Sequence, residues 1–196
     1  VQLNADSKLS YSPDFNHKKR IVNLEGEAYF NVKKSYPNKF TVKTTTHTVE
    51  VMGTQFIVQN YKSEDLFEVS LISGKVKVNK NVEPSNSITI KPNQKYIYNN
   101  KNQELTLKLT DLTSETAWLK GELIIREKPL YKAIIEIERF YGIKINEASI
   151  SEIHHEAFTG SFKKGNVEDA LKVIELLYPV KYKILTDSIV LISTKH

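Results

Sequence analysis

The clearest two-residue period in the chain runs through residues 20–32. Val22, Leu24, Ala28, Phe30 and Val32 share one parity, with Gly26 among them, while Asn23, Glu25, Glu27, Tyr29 and Asn31 fall on the other. Such alternation predicts a half-buried strand with one wet face. A glycine on the buried side gives up packing, and its usual physical reason is a bulge, a bend or a second backbone passing close by. The same pattern recurs twice. Val49, Val51, Phe56 and Val58 are interrupted by Gly53-Thr54, and Val69, Leu71, Val76 and Val78 change parity across Ser73-Gly74. Tyr36-Pro37-Asn38 predicts a turn before Phe40-Thr41-Val42. Ile88-Thr89-Ile90 and Tyr96-Ile97-Tyr98 flank Lys91-Pro92-Asn93-Gln94, a turn in which Asn93 can take a left-handed conformation. Leu105, Leu107 and Leu109 alternate in a last strand. Eight or more short strands without helical period predict an all-β unit over residues 1–117, built as a coiled, folded-over antiparallel ribbon.

The period changes near Trp118, which follows a short helical turn and has the size of a residue that packs domains together. Leu123 and Ile125 read as a strand, and Pro129 stands at the tolerated first position of a helix. Leu130, Ala133, Ile134, Ile137, Phe140 and Tyr141 then form a helical stripe ended by Gly142. Thirty-seven positions on, Val167, Ala170, Leu171, Ile174, Leu177 and Tyr178 repeat the stripe offset for offset, and Val180 and Tyr182 repeat Ile143 and Ile145. Residues 118–196 are therefore expected to form a small α+β domain of two β-α-β halves, closed by a hairpin hinged at Thr186-Asp187-Ser188.

Composition narrows the chemistry. With 40% hydrophobic and 26% charged residues the chain reads as globular, and it contains no apolar run long enough to span a bilayer. The absence of cysteine excludes disulfides, thiolate metal sites and a cysteine nucleophile. The net charge of +5 is spread thinly over Lys18-Lys19-Arg20, Lys33-Lys34 and Lys163-Lys164, which read as solvated edges and not as a nucleic-acid face. Adjacent His154 and His155 point apart in extended structure, and His17, His47 and His196 have no ligand spacing, so no metal site is expected. Gly160-Ser161-Phe162-Lys163-Lys164-Gly165 lacks the ending of a phosphate loop and reads as the entry to the second helix. Glu25 and Glu27 read as surface carboxylates, and no serine sits in a nucleophile elbow. No cofactor and no catalytic residue is expected; the pattern suits a binding or scaffold role.

Several stretches resemble FecR-type anti-sigma factors. They are Gly26-Glu27-Ala28-Tyr29-Phe30, Val51-Met52-Gly53-Thr54-Gln55-Phe56, Leu71-Ile72-Ser73-Gly74-Lys75-Val76, Ile90-Lys91-Pro92-Asn93-Gln94 and Trp118-Leu119-Lys120-Gly121-Glu122-Leu123, with Leu3-Asn4-Ala5-Asp6-Ser7 similar to the family's opening. Arg139-Phe140-Tyr141-Gly142-Ile143 and Phe158-Thr159-Gly160-Ser161-Phe162 resemble its carboxy-terminal domain in Bacteroides-like bacteria, which is similar to the short domain at the front of secretins and TonB-dependent receptors. Asn31, Lys39 and Asn93 depart mildly from the pattern. The resemblance implies that Gly26, Glu27, Phe30, Gly53, Thr54, Phe56, Gly74, Trp118 and Gly121 are scaffold.

It also implies a periplasmic region of a single-pass inner-membrane protein, whose sigma-binding segment and membrane helix lie upstream. The implied partners are the signalling domain of a TonB-dependent outer-membrane receptor and, through the upstream segment, an extracytoplasmic-function sigma factor. Strand addition at an open sheet edge would serve the receptor contact, with Phe158, Thr159, Gly160 and Phe162, and Ile189 and Leu191 of the terminal hairpin, as the expected edges. A rival reading is a carbohydrate- or metabolite-binding module using Tyr29, Tyr96 and Tyr98 as a stacking platform.

Overall fold

The structure is a computed structural model that describes residues 1–15, 20–34, 38–149, 155–185 and 189–193. The expected turn at Tyr36-Pro37, the hinge at residues 186–188, His17, His154, His196 and Lys18-Lys19 lie outside them. Two compact units form, Val1–Glu115 and Thr116–His196.

The first unit is one curled sheet of eleven strands. Its hub is β3 (Arg20–Asn31), whose alternation buries Val22, Leu24, Ala28 and Phe30. β1 (Gln2–Leu3) and β2 (Lys8–Tyr11) pair with one side of β3. On its other side β3 changes partner along its length. Residues Arg20–Asn23 pair in parallel with β4 (Phe40–Lys43), and Gly26–Asn31 pair antiparallel with β6 (Gln55–Asn60). The parallel β3–β4 pair departs from the all-antiparallel ribbon expected, because alternation fixes which face is buried but not the direction of a neighbour. From β4 the sheet continues through β5 (His47–Val51) and β8 (Val76–Lys80) to β9 (Glu83–Ile90). From β6 it continues through β7 (Leu66–Ser73) and β10 (Gln94–Asn99) to β11 (Glu104–Leu109). The curl brings both wings over one core, where Phe30 stacks on Phe56 with ring centroids 5.0 Å apart.

Gly26 sits where β3 passes from one wing to the other, at φ +94°. A Cβ there would lie 2.7 Å from Cα of Ser7, in the turn joining β1 to β2. That turn is pinned to the bend, since the Glu27 N–H donates to Ser7 Oγ at 2.8 Å and the Asn4 N–H to the Glu27 carbonyl at 2.9 Å. The Glu27 side chain accepts from Asn4 Nδ2, and Glu25 pairs with Lys62 at 2.6 Å, so both carboxylates serve the scaffold. Gly53 and Gly74 mark a second close approach, the Gly53 carbonyl lying 2.8 Å from where a Gly74 Cβ would stand; Thr54 ties this corner by donating to the Lys75 carbonyl.

His47 is fully buried between the wings. Its ring stacks on Phe67 at 4.0 Å, and Nδ1 and Nε2 lie 2.9 Å from Thr46 Oγ1 and 3.3 Å from Tyr96 Oη. Burial, with Lys80 nearby, lowers its pKa from 6.5 to about 4. Tyr96 and Tyr98 pack against it and are themselves buried, with the Lys80 ammonium over the Tyr98 ring, so neither offers a stacking platform. Tyr29 is half-buried, and its hydroxyl faces Gln55.

On the opposite face of the same wing, Lys95 of β10 is buried with two carboxylates. Its Nζ lies 2.6 Å from Glu68 and 2.8 Å from Glu115, the latter on the short helix α1 (Leu112–Thr116). Ser70 and Thr110 also donate to Glu115. Burial alone would lower the Lys95 pKa, but Glu68 and Glu115 outweigh it and hold the ammonium above its usual range. For Glu115 burial pushes upward, while Lys95 and the hydroxyls hold the carboxyl below its ordinary 4.5.

In the second unit the 3-10 turn Ala117–Lys120 carries Trp118, half-buried, and ends at Gly121 in the left-handed region. β12 (Glu122–Pro129) pairs antiparallel with β14 (Ala157–Lys163) in one sheet. β13 (Ile145–Ser149), β16 (Ile189–Ser193) and β15 (Val180–Ile184), in that order, make another. Helices α2 (Leu130–Tyr141) and α3 (Glu168–Leu177) bury Leu130, Ala133, Ile134 and Ile137, and Ala170, Leu171 and Ile174, in the core they share with both sheets. Gly142 caps α2 in the left-handed region, donating to the Glu138 carbonyl.

Three outcomes follow. Gly26→Ala is expected to lower stability by at least about 2 kcal/mol, from backbone strain and the Ser7 clash together; an unchanged urea midpoint would refute the close-approach account. Lys95→Met strands two buried carboxylates and should cost about 3 kcal/mol or more by the same measurement, whereas a neutral result would mean the cluster is solvated. Between pH 6.5 and about 4 the unfolded chain binds a proton at residue 47 that the folded chain refuses, so stability falls as pH drops through that window. His47→Phe should flatten that part of the profile, and the contribution of Glu115 is lost only lower, as pH falls below 4.5.

Candidate functional site

The two sheets of the second unit leave backbone edges, and hydrogen-bond parity shows which groups point outward. In the β12–β14 ladder the Lys164 N–H donates to the Gly121 carbonyl and the Leu130 N–H to the Glu156 carbonyl. With the register of the pair, Phe158, Gly160 and Phe162 therefore bond inward to β12, and Ala157, Thr159, Ser161 and Lys163 face away. Both ends of that outer edge are already capped. Tyr178 donates to the Ala157 carbonyl at 2.9 Å and Tyr141 to the Lys163 carbonyl at 3.1 Å. Burial first, then Glu156 for Tyr178 and Asp169 for Tyr141, raises both phenol pKa values and keeps the hydroxyls protonated as donors. These two tyrosines occupy equivalent positions of the 37-residue repeat. That symmetry was the signal for them, but their target strand was not local enough to be read.

The residues expected to meet a partner divide accordingly. Phe158 and Phe162 are 0% and 6% exposed and stack at 6.2 Å, with Gly160 beneath them, where a Cβ would lie 2.8 Å from Phe162. They are core, and Gly160 is small because the rings fill its space, which corrects their expected role as contacts. Thr159 Oγ1 accepts the Glu127 N–H at 3.0 Å, closing a bulge in β12 where Glu127 takes φ +48°. Ile189 is buried at 3%, and β16, which holds Ile189 and Leu191, runs between β13 and β15. Neither side of β16 is an edge, so the hairpin's open strand is β15, a neighbour order that residue parity does not encode.

β15 pairs with β16 alone among the described residues. The Ile189 N–H donates to the Lys144 carbonyl on the β13 side, so Ile184 opposite it is a non-bonded pair; Lys183 and Lys181 bond inward, and Tyr182 and Ile184 turn their backbone groups outward. The side chains of Lys181, Lys183 and Ile184 are exposed, Tyr182 is half-buried, and Leu185 follows at 42% exposure. The arrangement can accept an extended strand. Elsewhere in the unit, Lys163, Lys164 and Asp169 line a shallow open groove beside Phe162, and no buried polar atom left without a partner belongs to its lining. Among the described residues no cluster of three or more His, Cys, Asp or Glu could hold a metal, and no helix is long and apolar enough to cross a membrane.

Comparison with known proteins agrees with the two-unit organisation. The family described as FecR protein matches residues 1–77, and that described as FecR, C-terminal matches residues 122–191. Two crystal structures of a candidate anti-sigma factor from Parabacteroides distasonis ATCC 8503, at 1.65 Å and 2.50 Å resolution, are each 31% identical over 98% of this chain and 89% of theirs, with TM-scores of 0.86 and 0.87. No curated protein sequence matches the chain. A curled β unit and a helix-bearing β-α-β unit, each matched by its own family and together aligned along nearly the whole length of a solved relative, mean that the chain belongs to the FecR-type anti-sigma factors, a family of regulatory signalling proteins.

Proposed function

We propose that this chain is the periplasmic region of a transmembrane regulator of an extracytoplasmic-function sigma factor, and that its second unit receives the signalling domain of a TonB-dependent outer-membrane receptor. The observation that supports this reading is the open edge of β15, where Tyr182 and Ile184 turn unpaired backbone groups outward beside exposed Ile184 and Leu185. A partner strand laid there gains main-chain hydrogen bonds, and its apolar side chains meet Tyr182 and Ile184. Lys183 favours an acidic residue opposite it, whereas Lys181 is already paired with Glu175 at 3.1 Å. β14 serves less well because the Tyr141 and Tyr178 hydroxyls occupy the carbonyls at both ends of its outer edge.

A signal passes only if the partner binds one state of the regulator better than another. Strand addition meets that condition where the edge is accessible in one state and covered in the other. The membrane helix and the sigma-binding segment belong to the upstream part of the same protein in this reading.

Calorimetric titration of the chain with its cognate receptor's signalling domain tests the proposal. Tyr182→Pro removes an outward N–H and should weaken binding at least about tenfold, while Ser161→Pro, which removes an outward N–H from β14, should leave affinity nearly unchanged. Equal effects of both substitutions, or no binding at high micromolar concentration, would sink it.

A further inference from the structure

In the first unit one end of the sheet is β11, and this edge carries features that its pairing with β10 does not account for. β11 pairs with β10 alone among the described residues, and all six of its residues are exposed. Leu105, Leu107 and Leu109 are 43%, 45% and 78% exposed and share the face of the buried Tyr96 and Tyr98, their cross-strand neighbours being Tyr98, Tyr96 and Gln94. Three leucines thus carry the apolar core face out to the rim. The Thr110 N–H donates to the Asn93 carbonyl, so the bonded pairs of the β10–β11 ladder fall on Lys108, Thr106 and Glu104. The N–H and C=O groups of Leu105, Leu107 and Leu109 consequently point away from β10. A six-residue edge with an apolar stripe and free backbone groups is a template for another strand.

We propose that the occupant is a second copy of this chain, its β11 pairing antiparallel with the first about a two-fold axis centred on Thr106. The charge pattern selects both the partner and the register. With Thr106 opposite itself, Leu105 meets Leu107 and Glu104 meets Lys108, each pair occurring twice by symmetry. Leu105 and Leu107 are the residues whose backbone groups face outward, so they form the bonded pairs of the new ladder, and both leucine stripes lie on one face of the joined sheet. Centring on Leu107 instead sets Thr106 against Lys108 and Glu104 against Thr110, and both charge pairs are lost. The inference rests on the β unit alone and does not depend on the receptor reading.

The test is sedimentation velocity on the 196-residue chain over a concentration series, paired with amide hydrogen exchange. A reversible dimer is expected, in which the amides of Leu105, Leu107 and Leu109 become protected as concentration rises. Glu104→Lys and Lys108→Glu each place like charges opposite one another at two symmetry-related positions and should weaken the dimer about tenfold or more, while the double reversal restores it. Melting curves confirm that the variants remain folded, and the exchange measurement on the unaltered chain needs no variant. A chain that stays monomeric to roughly 1 mM, a dimer indifferent to both reversals, or β11 protection seen only when a different protein is added would each overturn the proposal, the last in favour of a heterologous strand.

Discussion

The first unit depends on one strand belonging to two wings. β3 hands its pairing from β4 to β6 midway, and a twelve-residue strand can do this only if its backbone turns where the partners change. The turn falls at Gly26, whose φ of +94° is open to glycine and costly for other residues. The bend leaves a hollow on the buried parity, and the β1–β2 turn fills it with Ser7, whose hydroxyl also takes up the Glu27 N–H. That curvature brings the ring of Phe30, in the part of β3 paired with β6, to within 5.8 Å of Phe40 on β4 in the other wing. The Gly53–Gly74 corner does the same for the turn between the wings, since Thr54 and Lys75 are joined there by a hydrogen bond.

Two polar devices then hold opposite faces of the β7–β10 pair. Inside, neutral His47 joins the wings by stacking on Phe67 and meeting Tyr96 across the core. Outside, Lys95 ties β10 to β7 through Glu68 and to α1 through Glu115. Buried ion clusters rarely add net stability over a well-packed apolar substitute, but they tolerate few alternative arrangements. The Lys95 cluster thereby fixes where the β unit ends, because Ser70, Thr110 and Glu115 can share their hydrogen bonds only with α1 seated on the sheet.

Much of this was legible in the chain. The parity of residues 20–32 identified both the buried face of β3 and the anomaly at Gly26, and the 37-residue repeat identified both helices and their buried residues, although Leu177, expected on the second stripe, is 55% exposed at the helix end. What stayed hidden is non-local. Alternation reports burial and is silent about neighbour order, so the parallel β3–β4 pair and the central position of β16 could not be read. Phe158 and Phe162 were expected at an open sheet edge, and β14 does have one, yet their backbone groups turn inward to β12 and their side chains lie in the core shared with the helices. His47 and Lys95 carry no local mark of burial, since Tyr96 lies 49 positions from the one and Glu115 lies 20 positions from the other. The two tyrosine caps on β14 are a tertiary contact of the same kind.

Among the described residues, the edges at β9, β11, β14 and β15 are treated differently, and the difference bears on function. β14 has hydroxyls on its end carbonyls, and β9 contains Pro84, which removes a donor. β11 and β15 have neither protection, but their charge patterns are unlike. β15 carries Lys181, which pairs with Glu175, and Lys183 two residues apart on one face, so an antiparallel copy centred on Tyr182 sets lysine against lysine, whereas an acidic foreign strand is attracted to Lys183. β11 carries Glu104 and Lys108 symmetrically about Thr106, so a copy is attracted and a strand of uniform charge gains at one end what it loses at the other. One edge is thus built to refuse its own kind and the other to accept it. A regulator with both could pair with itself through the β unit while its β-α-β unit stays open to a different protein.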